Sequence, residues 1–347
     1  MDDSGLSVDY SNRLISVCVA NYNGADVIVQ CLESIYAQQT TSSVEVLVHD
    51  DGSSDASVEL IQNQFPQVEL IVSEENVGFC IANNRMVSRA RGDYVLLLNN
   101  DAWLADNAID TFVQGASQES AGDCIYTLPQ YHADSRELLD CGMFMDIFAN
   151  PVAGTARVKQ PVAMVMGACL WVSKNLWCQC GGFPQWFGSM AEDMYLCHYA
   201  RILGHEVTTL PGSEYYHRVG HSFGGGKVVA TGLATTIKRR RLSERNKLYV
   251  MFLFYPLLAV VLVLPIHLLG LLLEGLVLAL IKLDFSVFSR IYGHALWSFF
   301  LNFPNLVRRR RVIQSKRVIS MRKYFSVYRW IPHKLRMFIK YGIPKLN

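Results

Sequence analysis

Four polar segments of this sequence carry residue types that could do chemistry. Three of them, Asn21–Gly24, Asp50–Asp55 and Asn99–Asp101, each follow an apolar, β-branched run. The fourth is the acidic pair Glu192 and Asp193, at the start of a predicted helix. A carboxylate can ligate a divalent cation or accept a proton. Asn, Asp and Gly are also common turn residues, so each segment by itself is explained equally well as a solvated loop.

The elements around these segments predict how the first three are positioned. Apolar strands alternate with amphipathic helices over about the first hundred residues, which predicts an α/β fold with a mostly parallel sheet and helices on both faces. The predicted strands are Leu14–Ala20, Val44–Val48, Val68–Val72 and Tyr94–Leu98. Ligands bind such sheets outside the carboxyl ends of the strands, where the three segments would meet. The first loop has no Gly-x-Gly-x-x-Gly, which argues against a dinucleotide oxidoreductase.

Composition places the chain among folded proteins with a membrane-seeking part. Its 347 residues are 51% hydrophobic and 18% charged, which excludes global disorder. The nine cysteines form no Cys-x-x-Cys pair, which argues against a disulfide framework or a zinc site. Residues Met1–Asn12 are polar and show no signal peptide, so we expect the soluble part in the cytosol, in a reducing compartment.

An apolar segment and a basic tail predict association with a membrane. Leu248–Leu283 is almost wholly apolar and has basic clusters on both sides, which fits a hairpin or an interfacial arrangement better than one crossing. Phe285–Val307 is predicted to be a further interfacial helix. Residues 308–347 carry 13 Lys and Arg and no acidic residue, as expected for contact with anionic lipid headgroups. The alternatives are a hydrophobic dimer interface for the apolar segment and a nucleic-acid patch for the tail.

The predicted domains follow from these features. They are a polar tail at 1–12, a catalytic α/β domain at 13–236, a membrane-associated helical region at 237–307 and a basic membrane-surface tail at 308–347.

The ordered series of motifs resembles the inverting family 2 glycosyltransferases with the GT-A fold, and most closely their rhamnosyltransferase-like branch in bacterial surface-polysaccharide assembly. The resemblance covers about residues 14–250. The matching segments are Ile15–Gly24, Val48–Asp55, Asn76–Asn84, Leu96–Asp101, Gly181–Phe183 with Glu192 and Asp193, and Pro211–Ser222.

The resemblance implies a divalent cation, Mg²⁺ or Mn²⁺, that neutralises the diphosphate of a nucleotide-sugar donor. Asp101 and His217 would be its ligands. The family usually has Asp-x-Asp where this chain has Asn99-Asn100-Asp101, so one carboxylate is absent and weaker metal binding is expected.

The resemblance also assigns a donor site. Asp50 would accept the imide N–H of uracil or thymine, and Asp51 ranks behind it because it could instead cap a turn. The other residues predicted to bind the nucleotide sugar are Ala20, Asn21, Tyr22, Asn76, Gly78, Asn83, Asn99, Asn100 and Arg245.

Asp193 would be the catalytic base, with Glu192 in support. The alternative is that both are helix N-terminal acids that the helix dipole favours. The glycine-rich stretch Gly220–Gly226 would be a mobile loop that closes over the diphosphate.

The expected function is transfer of a single sugar, with rhamnose as a candidate, from a dTDP- or UDP-linked donor to a lipid-linked, polyprenyl diphosphate saccharide. The expected location is the cytoplasmic face of the inner membrane. Processive synthases usually carry Gln-x-x-Arg-Trp, whereas Arg329-Trp330 here follows Ser326, so polymer synthesis is the alternative. A catalytically silent nucleotide-sugar-binding scaffold is a second alternative.

Overall fold

The chain was analysed as a computed structural model, which describes residues 13–118, 123–220, 227–229, 232–334, 337, 339 and 345–346. The predicted polar tail at 1–12 and residues 221–226 of the predicted mobile loop lie outside the described residues. The domain boundaries stay a prediction.

The first half of the chain alternates strands and helices as its periodicity predicts. The elements are β1 Leu14–Asn21, α1 Ile28–Tyr36, β2 Ser43–Asp50, α2 Ser57–Gln64, β3 Glu69–Val72, α3 Phe79–Arg89, β4 Tyr94–Asn99, β5 Ala102–Leu104 and α4 Ala108–Ser117. Short strands then follow: β6 Ile125–Thr127, β7 Gln130–His132, β8 Leu138–Asp140, β9 Met143–Asp146, β10 Pro151–Ala153, β11 Gln160–Pro161 and β12 Cys169–Ser173.

The second half is mainly helical. It contains α5 Lys174–Cys180, a 3₁₀ turn Gln185–Phe187, α6 Glu192–Ile202, β13 Val207–Thr209, β14 Tyr215–His217, β15 Lys227–Val229, β16 Gly232–Thr235, α7 Ile237–Phe254 and α8 Leu257–Lys282. The chain continues with α9 Phe285–Val287, a π-helical turn Phe288–Gly293, α10 His294–Leu301, α11 Phe303–Ser315, α12 Met321–Phe325, β17 Tyr328–Arg329 and β18 Lys345–Leu346.

The central sheet is mixed and has eight strands in the order β11-β13-β6-β12-β4-β1-β2-β3. Strands β3, β2, β1 and β4 are parallel, and β12 joins β4 antiparallel. Successive residues of a strand point to opposite faces, so β1 divides its side chains between two apolar cores. Val17 packs in one core and Cys18 in the other, and both are fully buried. The sheet is therefore covered by packed structure on both faces.

The apolar segment Leu248–Leu283 divides at Pro256 into two helices with different surroundings. Its first part, Leu248–Phe254, belongs to α7 and is buried against the rest of the protein. The remainder forms α8, the one described helix long and apolar enough to cross a membrane. The single helix predicted over Phe285–Val307 is wrong, because the chain there forms α9, the π-helical turn, α10 and the start of α11, with a break at Asn302.

Candidate active site

The three polar segments meet at the carboxyl edge of the sheet. Asn21 lies opposite Asp50 in the β1–β2 pairing, and its Nδ2 donates to Asp50 Oδ2 at 2.8 Å. Asn100 Nδ2 donates to Asn21 Oδ1 at 2.8 Å. A Cβ atom on Gly24 would lie 2.2 Å from Asn100 Nδ2, so only glycine fits there. The convergence expected from the parallel topology is therefore present.

The two aspartates after β2 hold the neighbouring loops. Asp50 Oδ1 accepts from Ser53 N at 2.9 Å, and its Oδ2 accepts from Ser53 Oγ at 2.7 Å. Asp51 accepts from the amides of Val77 and Gly78, each at 2.8 Å. Both carboxylates are buried. The role of Asp50 in reading a pyrimidine base stays a prediction, and its observed contacts fix the loop shape.

The other residues predicted to contact the donor differ in exposure. Tyr22 is 50% exposed and Asn76 is also exposed, so both are accessible to a ligand. Ala20 is half-buried at the end of β1. Asn83 is buried, and its Nδ2 donates to the carbonyl of Phe79 within α3.

Asp101 and His217, predicted as metal ligands, lie side by side although 116 residues separate them. Strand β14 pairs with β5 and β7, and this pairing places His217 next to the end of β4. His217 Nε2 lies 3.1 Å from Asp101 Oδ1. Gln130 Nε2 lies 3.0 Å from His217 Nδ1, and Tyr215 Oη donates to Gln130 Oε1 at 2.7 Å. A buried chain of hydrogen bonds thus orients the imidazole.

The residues at this point fit a divalent cation. Asp101 is 1% exposed, and the buried Asn99 Oδ1 accepts no hydrogen bond within the described residues. The Asp101 carboxylate and the His217 imidazole form a pair of donors that suits Mn²⁺ and, less well, Mg²⁺. The described residues contain no group of three His, Cys, Asp or Glu that could hold a metal. Further ligands would therefore come from a bound molecule such as a diphosphate.

The acidic pair begins α6 beside the same edge. Met190 and Ala191 adopt left-handed backbone angles (φ 69° and 65°), which turn the chain sharply into the helix. Asp193 Oδ2 accepts from Gly167 N at 3.1 Å. The next residue, Ala168, accepts from the amide of Asn99 at 3.0 Å. Asp193 is therefore connected to the end of β4, from which Asp101 also extends.

Burial changes the proton affinity of this pair. Desolvation, followed by the Asp193 charge, raises the pKa of Glu192 to about 8. Burial also raises the pKa of Asp193, although the Gly167 amide opposes the shift. Two buried carboxylates that repel each other do not both ionise readily, so at neutral pH the pair retains a proton. Such a pair can accept a proton from a bound hydroxyl group.

Two residues of α7 support the loop that carries this pair. Asn246 Nδ2 donates to the carbonyls of Phe187, Ser189 and Met190 at 3.3, 2.9 and 2.6 Å. Arg245 Nη2 donates to the carbonyl of Phe187 at 2.7 Å. The binding of the nucleotide sugar by Arg245 stays a prediction, since its observed hydrogen bonds go to loop carbonyls and to Asn246 Oδ1.

Sequence reasoning missed the positioning residues Asn246 and Gln130. Asn246 was visible as the neighbour of Arg245 but had no assigned role. Gln130 lies in the stretch between Gly115 and Pro161, where no periodic pattern indicated an element. No signal in the sequence paired it with His217.

Comparison with known proteins relates the first half of the chain to a known family. Residues 16–174 match the family model "Glycosyl transferase family 2". Chondroitin synthase from Escherichia coli is 28% identical over 187 residues, covering 53% of this chain and 26% of that protein. Glycosyltransferase GlyG from Streptococcus pneumoniae serotype 4 is 33% identical over 113 residues, covering 32% and 37%. The chain thus aligns with well under half of the length of these relatives.

A solved structure has the same fold. The crystal structure of GalNAc-T7 with UDP, GalNAc and Mn²⁺ superposes with a TM-score of 0.57 at 14% identity, covering 71% of this chain and 49% of that one. A glycosyl transferase family 2 domain over residues 16–174 and the predicted fold class are confirmed, while the rhamnosyltransferase-like branch stays a prediction. The chain therefore carries a glycosyl transferase family 2 domain and has a mixed α/β, GT-A-like fold.

Proposed function

We propose that this protein is an inverting glycosyltransferase that adds one sugar from a nucleotide-diphosphate donor to a lipid-linked saccharide at a membrane surface. The observation that carries the proposal is the connection of two acidic sites through Gly167 and Ala168. One site is Asp101 with His217, and the other is the buried pair Glu192 and Asp193. A leaving diphosphate and a reacting hydroxyl group need such sites close together.

Each residue has a role in this proposal. A divalent cation bound at Asp101 and His217 would neutralise the charge that develops on the diphosphate. Asp193 takes the proton of the acceptor hydroxyl as its oxygen attacks the anomeric carbon from the face opposite the leaving group. Glu192 supports Asp193 by holding the proton that the buried pair retains. Asn246 fixes the loop before α6, so Asp193 keeps its position during the reaction.

A solved structure of the same fold supports the class of donor, and features of this chain support the acceptor. The GalNAc-T7 structure contains UDP, which supports a nucleotide-linked donor. We assign a dTDP- or UDP-linked sugar, with rhamnose as a candidate, on the predicted role of Asp50. The apolar helix α8 and the basic residues 308–347 support a polyprenyl diphosphate acceptor at an anionic leaflet, which we place on the cytoplasmic face of the inner membrane.

The test is release of nucleotide by the purified chain. UDP-, dTDP- and GDP-sugars are offered with Mn²⁺ or Mg²⁺ and a lipid-linked saccharide. We expect metal-dependent release with a pyrimidine donor and a drop of about 100-fold or more in Asp193→Asn. The matched control is Asp134→Asn, which changes an exposed aspartate. Donor binding without turnover in the unaltered chain would favour a catalytically silent scaffold.

Polymer synthesis is the second candidate, because relatives of this chain include a chondroitin synthase and a hyaluronan synthase. The two candidates differ in product length. With excess donor, single transfer stops after one added sugar, whereas a processive enzyme gives a distribution of long products. Mass spectrometry of the product decides between them.

A further inference from the structure

Helix α8 has one side against the protein and one side exposed along its whole length. The side facing the protein includes the buried residues Ala259, Leu264, His267, Leu271, Gly275 and Leu278. The exposed large hydrophobic residues of the helix are Leu257, Leu258, Val261, Leu262, Ile266, Leu269, Leu272, Leu273, Leu276, Val277, Leu280 and Ile281. Lys282, which is charged and also exposed, is the last residue of the helix. At 1.5 Å per residue the 26-residue helix is about 39 Å long, so the exposed strip is far larger than a soluble monomer leaves uncovered.

The inner side of α8 is attached to the catalytic domain near its middle. The His267 ring stacks on Phe148, with ring centroids 5.6 Å apart. Phe148 belongs to the loop after β9, which Lys247 of α7 also contacts, since its Nζ donates to Asn150 Oδ1 at 2.9 Å. The middle of α8 therefore rests on the domain that carries the candidate active site.

A network of buried and partly buried charges attaches the second half of α8. Glu274 pairs with Arg240 of α7 and with Lys334, whose Nζ lies 2.9 Å from Glu274 Oε2. Lys334 also lies 2.8 Å from Glu244 Oε1, and Lys247 lies 2.9 Å from Glu244 Oε2. Burial alone would raise the pKa of Glu244, but Lys247, Lys334 and Arg240 hold it well below its ordinary value. The network therefore contains ionised groups.

These attachments are incompatible with a helix that crosses a bilayer. A crossing needs about 20 residues inside the hydrocarbon region. The segment available, Leu257–Lys282, includes both His267 and Glu274. In a crossing, Arg240, Glu244 and Lys334 would have to enter the hydrocarbon with α8, or separate from Glu274 and leave buried charges unpaired. Either change is energetically unfavourable, because it moves charges into hydrocarbon or leaves them without a partner.

The charge of the chain favours a lipid surface over a second copy of the protein. Residues 308–347 carry 13 Lys and Arg and no acid, so an anionic leaflet would attract this segment, whereas the same segment of a second copy would repel it. The segment that brings Lys334 to α8 also exposes Arg329, Trp330 and Ile331, and Trp330 is 72% exposed. Tryptophan and arginine are common where protein meets lipid headgroups.

We propose that α8 lies parallel to the membrane, with its exposed side, from Leu257 to Ile281, in the boundary between headgroups and acyl chains of one anionic leaflet. This inference rests on the membrane association included in the proposed function. It makes the enzyme monotopic, and it keeps the candidate active site at a fixed height above the leaflet that holds the acceptor.

The test measures the depth of three positions on one stripe of α8. Leu258, Leu269 and Leu280 are exposed by 57%, 56% and 72%, and the first and last are about 33 Å apart along the helix. All nine cysteines lie in the described part of the chain and only Cys178 is exposed, so Cys178→Ser gives the background. Each leucine is replaced by cysteine and labelled with an environment-sensitive fluorophore, and depth-dependent quenchers are incorporated in phosphatidylcholine vesicles with or without phosphatidylglycerol.

We expect equal, shallow depths at all three positions, and vesicle binding about tenfold or more tighter with phosphatidylglycerol. A label at Leu269 that is much deeper than those at Leu258 and Leu280 would show a crossing helix. A fluorescence change that follows protein concentration without vesicles would show a second copy. Either result overturns the proposal. Glu59→Cys, on exposed α2, is the matched control and should give no shift.

The depth measurement uses no sugar and no turnover. A protein that shows equal depths but releases no nucleotide would contradict the proposed reaction and leave the in-plane helix in place. Nucleotide release by a protein whose α8 crosses the bilayer would support the proposed reaction and contradict the in-plane helix.

Discussion

A buried carboxylate pair makes the free energy of unfolding depend on pH. The pKa of Glu192 in the folded chain, about 8, lies above its ordinary value of 4.5. The folded state therefore binds the proton more tightly than the unfolded state between these two values. Stability due to this group is fully present below about pH 4.5 and is lost as the pH rises through 8.

We expect Glu192→Gln to remove most of this loss, because the amide stays neutral. Relative to the unaltered chain, the variant should gain a few kcal/mol in free energy of unfolding between pH 5 and pH 9. Urea unfolding at several pH values measures it. Glu59→Gln on α2 is the exposed control. Parallel pH profiles for Glu192→Gln and the unaltered chain would contradict the raised pKa.

Gln130 decides which nitrogen of His217 is free. If His217 binds a cation through Nε2, the proton of its imidazole must be on Nδ1. The Gln130 amide must then be turned so that its Oε1 accepts a hydrogen bond from His217 Nδ1 and its Nε2 donates to Tyr215 Oη. Removing such a support costs about 10- to 100-fold in metal affinity. We therefore expect Gln130→Leu to weaken Mn²⁺ binding by that factor, as measured by titration followed by electron paramagnetic resonance.

The control for this change is Gln114→Leu, at an exposed position of α4. Circular dichroism confirms that each variant is folded. Unchanged Mn²⁺ affinity in a folded Gln130→Leu chain would mean that Gln130 does not orient a metal ligand.

At the scale of elements, the turn between α5 and the 3₁₀ helix offers a matched pair of glycines. Gly181 and Gly182 both have left-handed backbone angles (φ 77° and 67°). A Cβ on Gly181 would meet nothing within 4 Å, whereas one on Gly182 would lie 2.6 Å from Asn84 Oδ1 and 2.9 Å from Trp177 Nε1. Asn84 Oδ1 accepts from the amide of Phe183, so the clash would break a contact between α3 and this turn.

We expect Gly181→Ala to cost about 1 kcal/mol of stability, from backbone strain alone. Gly182→Ala should cost about 2 kcal/mol more, because the side chain also overpacks the site. Equilibrium unfolding of the two variants measures the difference. Equal costs would mean that Asn84 and Trp177 move away easily and that the turn is not tightly packed.

The connection between α7 and the loop before α6 gives a second prediction at this scale. Asn246→Ala leaves the carbonyls of Ser189 and Met190 without their side-chain donor, whereas the carbonyl of Phe187 keeps its bond from Arg245 Nη2. Unpaired buried carbonyls cost about 1–3 kcal/mol each when water cannot replace the donor. We expect a loss of about 2–4 kcal/mol in stability and a fall in turnover greater than any fall in donor affinity.

Thermal unfolding, nucleotide release and donor titration measure these three quantities for Asn246→Ala. Asn305→Ala, at an exposed position of α11, is the control. Turnover of Asn246→Ala equal to that of the unaltered chain would show that the loop keeps its shape without Asn246.

At the scale of the whole molecule, local patterns predicted the sheet edge but not its long-range partners. The alternation of strand and helix periods gave β1 to β4, and parallel topology alone then brought Asn21, Asp50 and Asn100 together. Gln130 reaches His217 through the β7–β14 pairing. The two residues are 87 positions apart, and no local sequence pattern connects them. Hydropathy grouped Leu248–Phe254 with α8, because a helix in the protein core and a helix that faces lipid are equally apolar. Their different packing in the folded chain distinguishes the two helices.

The charge network of α8 connects three distant parts of the chain, so its strength is a property of the whole fold. Replacing Glu274 by Gln leaves Lys334 paired with Glu244 and removes the ion pair between Arg240 and Glu274, whereas Lys334→Met leaves Glu274 paired with Arg240. If the contact between Glu274 and Lys334 holds the C-terminal segment on α8, the double variant should lose less stability than the sum of the single variants.

We expect a coupling free energy of about 1–3 kcal/mol between Glu274→Gln and Lys334→Met, measured by unfolding of the unaltered chain, the two single variants and the double variant in detergent. In a second double-mutant cycle, the control, Lys316→Met at an exposed position replaces Lys334→Met and should show no coupling with Glu274→Gln. If the losses from Glu274→Gln and Lys334→Met were additive, the C-terminal segment would be held elsewhere and α8 would be attached through α7 alone.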